Sequence, residues 1–78
     1  MATLAPINLG ETWANMGPAP ITFTVLSGDI EVAASNTAPA AGIKGHPYGP
    51  GTGDMFTIGP NVWGRCIGGA AQVVVTVA

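Results

Sequence analysis

Residues Ile21 to Leu26 read Ile-Thr-Phe-Thr-Val-Leu, with Ile21, Phe23 and Val25 on one side and Thr22 and Thr24 on the other. Side chains alternate across an extended strand, so this period of two, carried by β-branched and aromatic residues, predicts a half-buried strand. Ser27-Gly28-Asp29 is turn material, and alternation resumes from Asp29 to Ala34 with Ile30, Val32 and Ala34 facing one way. The two runs are expected to form a β-hairpin, with Gly28 available for a positive φ.

The same period returns in the last third of the chain. Met55 to Ile58 reads as a short strand, and Gly59-Pro60-Asn61 as a turn. Val62 to Ile67 sets Val62, Gly64 and Cys66 opposite Trp63, Arg65 and Ile67. After Gly68-Gly69, the run Gln72 to Ala78 is apolar on both faces, with Val73, Val75 and Val77 opposite Val74 and Thr76. Such a strand is expected to be central or covered. Thr12 to Asn15 is a shorter strand candidate, stopped by Gly17-Pro18.

Residues 35–54 break the pattern. Ser35-Asn36-Thr37-Ala38-Pro39 and Gly42 to Gly53 are dense in turn formers, with Pro39, Pro47 and Pro50 fixing φ. This loop-rich excursion is expected to be folded, with extended pieces near Gly42-Ile43 and His46 to Tyr48, because long structureless loops are rare in small domains. No window of ten residues free of Gly and Pro has a helical period. The prediction is one all-β domain over residues 1–78, a small antiparallel β-sandwich or barrel of about 6–8 short strands. Residues 1–10, uncharged and holding Pro6 and Gly10, are expected to form an extended N-terminal arm.

Composition changes the picture in one respect. Charged residues make up 8% of the chain and hydrophobic ones 47%, whereas an ordinary soluble domain has roughly 25% charged residues. Two cations against four anions provide no basic field for nucleic acid. The 12 glycines and 7 prolines do not imply disorder, because hydrophobicity is high and net charge only -2. No apolar stretch is long enough for a membrane-spanning helix, and the start lacks the basic and apolar regions of a secretory signal. A domain this small has a thin core and is usually reinforced by disulfides, a metal or oligomerisation. With 1 cysteine and 1 histidine, neither an intrachain disulfide nor a structural zinc site is available, so oligomerisation or docking on a larger body is expected.

Candidate chemistry is sparse. His46 with Asp54 and Ser35 or Thr52 sketches a hydrolase, but a triad demands more partners than this loop supplies. Cys66 beside Arg65 reads as a small buried hydrophobe, since neighbours on a strand face opposite ways. Gly49 to Asp54 lacks the Lys-Ser/Thr ending of a phosphate-binding loop and reads as a tight surface turn. Glu11, Asp29, Glu31 and Asp54 are too dispersed for calcium, and Asp29 with Glu31 is expected to form a solvated edge that discourages aggregation. No catalytic residue, cofactor, metal or small-molecule substrate is expected. Phe23 and one tryptophan are assigned to the core, while Tyr48 is the best candidate for an exposed interface residue.

The order of the pieces is Thr12-Trp13, the Ile21 to Val32 run, Thr37-Ala38-Pro39-Ala40, Gly45-His46, Gly49-Pro50-Gly51, Asn61-Val62-Trp63 and Val73-Val74-Val75-Thr76-Val77. It resembles that of a group of very small bacteriophage virion proteins, similar to capsid decoration (cement) proteins and to small tail or fibre components. The Gly49 to Asp54 run departs from the simpler turn of that pattern. The resemblance implies an all-β structural protein, commonly a homotrimer, bound to the major capsid protein on the virion surface after assembly in the host cytoplasm. It brings no catalytic residue. Leu4, Pro6, Ile7, Trp13, His46 and Tyr48 are the interface candidates. The alternative expectation is a tail or head-fibre module that binds a receptor or glycan through Tyr48, His46 and the Gly-rich loop.

Overall fold

The alternating runs close a two-layer β-sandwich. The structure, a computed structural model, describes residues 2–57 and 59–77, so the expectations at Met1, Ile58 and Ala78 lie outside the described residues. Those residues hold no helix and form β1 (Ala2–Thr3), β2 (Ile7–Leu9), β3 (Ala14–Pro18), β4 (Ile21–Ser27), β5 (Ile30–Ala34), β6 (His46–Tyr48), β7 (Gly53–Phe56), β8 (Asn61–Cys66) and β9 (Ala71–Val77). All pairings are antiparallel. One sheet runs β1–β9–β4–β7, with β2 also on β9, and the other runs β3–β8–β5–β6. β9 is central, as its two apolar faces require.

Between the layers, Phe23, Val25 and Ile21 from β4 and Val73 and Val75 from β9 meet Ile30 and Val32 from β5 and Val62 and Cys66 from β8. Leu9, Met16 and Ala71 complete this cluster. Each strand contributes alternate residues, so the inward set follows from the period of two. Phe23 and one tryptophan are buried as expected, Phe23 in this cluster and Trp13 outside it, while Trp63 is half-buried.

The expected hairpin does not form. β4 pairs with β7 and β9, while β5 pairs with β6 and β8 in the opposite sheet. Both strands bury alternate apolar residues, and that pattern is the same for a hairpin as for a corner that carries the chain between layers. Gly28 does take a positive φ, 76°, where the corner crosses the start of β9. A side chain there would lie 2.6 Å from the Ala70 carbonyl oxygen, so the crossing needs glycine for space and for φ.

The first ten residues are extended but are not a free arm. β1 and β2 lie end to end along the edge of β9, pairing Thr3 with Thr76 and Ile7 with Val73. The register moves by one residue between them. Pro6, which has no N–H to donate, occupies that break, and the Leu4 amide donates to the Val75 carbonyl at 2.9 Å. Leu9 is 2% exposed and Ile7 packs against the core cluster. This segment therefore builds the sandwich.

Within 35–54, His46–Tyr48 is a strand as expected, but Gly42-Ile43 is not. That segment is a turn, closed by the Ile43 amide donating to the Ala40 carbonyl at 3.0 Å. Gly49 to Thr52 is the expected tight turn, with the Thr52 hydroxyl donating to the Gly49 carbonyl at 2.6 Å. Backbone then passes close to backbone, since a Cβ on Gly53 would lie 2.1 Å from the Phe23 carbonyl oxygen.

Candidate functional site

The residues of the hydrolase sketch are not arranged for proton relay. His46 is exposed on the edge strand β6, and among the described residues no hydrogen bond joins it to Ser35 or Thr52. Its neighbour Asp54 instead accepts from the Tyr48 hydroxyl at 3.0 Å and from the Met55 amide at 2.8 Å. The Met55 amide, then the Tyr48 hydroxyl, and at longer range His46 hold the Asp54 carboxyl below the usual carboxylate range. Partial burial, then the hydrogen bond to Asp54 and its charge, raise the Tyr48 phenol. Phenol and carboxylate thus hold one another in the donor and acceptor states.

Tyr48 also packs edge-on against Phe23, ring centroids 4.9 Å apart. Expected as an exposed interface residue, it is half-buried in its own domain. The Cys66 thiol is buried and donates to the Gly69 carbonyl at 2.9 Å, with Arg65 turned to the other face of β8.

Charge gathers on the outer face of the β3–β8–β5–β6 sheet. Glu31 on β5 pairs directly across from Arg65 on β8, and their side chains form an ion pair. Arg65 donates further to the carbonyls of Ala41 and Ile43, each at 2.9 Å, and lies 4.4 Å from the centroid of the Trp13 ring. The Trp13 indole N–H donates to the Ala40 carbonyl at 3.3 Å. Guanidinium and indole thus clasp residues 40–43 onto the sheet, where cation–π and charge-assisted hydrogen bonds reinforce each other. Glu31 does not form the expected solvated edge, because β5 is an inner strand and Glu31 is 8% exposed. Glu11 and Lys44 join Glu31 and Arg65 around a shallow cleft of about 300 Å³. Both cations of the chain therefore lie on this side.

The interface candidates do not form one patch. Leu4 and Pro6 are exposed along the β1/β2 edge, whereas His46 and Tyr48 belong to β6. That strand lies on the opposite flank, where Tyr48 meets Asp54 of β7. Ile7 and Trp13 are engaged within the domain.

A second surface, whose residues the strand pattern places outward without aligning them, is the outer face of the β1–β9–β4–β7 sheet. Its rows are Thr3–Thr76–Thr22–Met55 and Val74–Thr24–Gly53, with Asn8 beside Gln72 at one end. No charged side chain stands in these rows. The Thr3 and Thr76 hydroxyls share a hydrogen bond at 2.9 Å, and Met55 is 58% exposed. The signal in the sequence is the threonine phase of each strand, but only the register aligns the threonines into rows. No family model, curated protein or solved structure matches this chain.

Proposed function

We propose that this chain is a structural virion protein that decorates the exterior of a phage capsid as a homo-oligomer and cements the junctions of its shell. The observation that carries this reading is a whole sheet face without charge on a chain with 8% charged residues. That shortage of charge, with Leu4, Met55 and Ile67 exposed, suits contact with other protein. The resemblance in the order of sequence pieces supports the virion setting. Leu4 and Pro6, exposed at the β1/β2 edge, are assigned to the shell contact.

A protein that binds only the assembled shell stabilises it by RT ln(1 + [L]/Kd). Particles lacking this chain are therefore expected to lose integrity at lower temperature and in low salt, and to regain resistance when the purified protein is added. Equal survival of stripped and complete particles refutes cementing. The fibre reading has less support, since its main candidate, Tyr48, is bonded to Asp54 and packed on Phe23.

A further inference from the structure

We propose that the uncharged outer face of the β1–β9–β4–β7 sheet is a two-fold docking surface for a second copy of this chain. The inference rests on the rows of this face and holds whether or not the chain decorates a shell.

The first argument is chemical. Thr22, Thr24, Thr76 and Gln72 present groups that both donate and accept hydrogen bonds, so one such face complements another like it. Met55 and Val74 add apolar area to the same surface. Self-docking brings no like charges together, because none of the six charged residues stands in the rows. A strongly charged partner would find nothing to pair with here, since both cations, Lys44 and Arg65, line the cleft of the other sheet.

The second argument is size. The domain measures 30 × 24 × 16 Å, and sheets packed face to face lie about 10 Å apart, which suits stacking along the short dimension. A broad face of that outline offers on the order of 700 Å², close to the roughly 800 Å² per partner of a standard specific interface. The opposite broad face is less available, because residues 40–43 are clasped over it by Arg65 and Trp13. A face that meets its own copy generates an isologous contact and hence even-numbered assemblies. Two-fold pairing thus replaces the three-fold assembly that the sequence resemblance implies.

Sedimentation of the full chain tests this. Wild type is expected to run as a dimer at roughly 100 µM, within the affinity range of interfaces of this size. Thr24→Lys sits at an exposed position in the centre of the face and should weaken the dimer by about tenfold or more, through like charges across the two-fold axis. An equimolar mixture of Thr24→Lys and Thr24→Glu should restore dimers. Thr37→Lys, outside the face, should leave the dimer intact. Circular dichroism checks that each variant keeps its sheet, and Met55→Lys replaces Thr24→Lys if the latter does not. A monomeric or trimeric wild type, or a dimer indifferent to the lysine, overturns the proposal. Cementing is read separately, on particles, so the two can fail independently.

Discussion

The two broad faces of this sandwich are built from strands with the same alternation, yet they are finished differently. On the β3–β8–β5–β6 side, the outward positions hold Glu31, Arg65 and Trp63, and the chain folds residues 40–43 back onto Arg65. On the β1–β9–β4–β7 side, the outward positions hold threonine, valine and methionine, and nothing in the described chain covers them. The difference shows how a nearly uncharged small domain deploys its charge. An inner-strand ion pair costs desolvation, which is offset here by carbonyl acceptors and an aromatic face around the guanidinium. The face without such devices is left for another protein surface.

This contrast can be broken from its covered side first. Trp13→Ala removes a buried indole, its hydrogen bond to Ala40 and the ring beneath Arg65. It is expected to destabilise by about 3–4 kcal/mol, near the lower part of the range for Trp truncation because Trp13 lies outside the central cluster. Urea denaturation measures this, and a loss below about 1 kcal/mol would mean that the clasp is decorative.

Arg65→Ala strands Glu31 and releases residues 40–43. A cost of about 2–3 kcal/mol is expected, less than for a fully buried pair since both side chains retain some solvent. In a domain of this size that lowers Tm by roughly 10 °C or more. Hydrogen exchange should show the Ile43 amide losing protection, and Glu31→Ala with Arg65→Ala should cost less than the two single changes added together. Unchanged exchange at Ile43 would separate the ion pair from the loop.

The Tyr48–Asp54 pair, which joins the two sheets at one flank, gives a smaller, pH-dependent effect. The Asp54 carboxyl is lowered on folding, so its contribution is present above the usual carboxylate range and fades as pH falls through the lowered value. The Tyr48 phenol is raised, so its contribution is complete below the usual phenol range and fades as pH rises through the raised value. Denaturation midpoints across pH should show both limbs in wild type, and Tyr48→Phe should remove the alkaline one. An identical alkaline limb in the variant would assign it elsewhere.

The smallest effect belongs to the bare face. Thr24→Val is expected to change monomer stability by no more than about 0.5 kcal/mol, as at ordinary exposed positions. Dilute samples, in which any dimer has dissociated, are the appropriate measurement. A larger loss would show that the threonine rows hold the domain together rather than present a surface.

Much of the sandwich is legible in the amino-acid sequence. The inward residues of β4, β8 and β9 follow from alternation, and Gly28 and Gly53 stand where backbone passes close to other parts of the chain. Three of the expectations that fail share one cause. The β4–β5 hairpin, the N-terminal arm and the solvated edge at Glu31 all rest on neighbours in sequence. Each is decided by a distant strand: β9 for residues 2–9, β8 for Glu31, and opposite sheets for β4 and β5. Trp13 and Tyr48 read as interface residues for the same reason, their partners Arg65 and Phe23 being remote in the chain.

Periodicity alone therefore establishes that this protein is all-β, which side chains of each strand turn inward, and how little charge it has to place. It does not establish which strands adjoin, because a period of two is indifferent to the partner and to the register. Antiparallel pairing across the chain brings Glu31 to Arg65 and aligns Thr3, Thr76 and Thr22 in one row. Both outer faces, the clasped and the bare, are products of that long-range register, since strand order and alignment are set by burying the whole core at once.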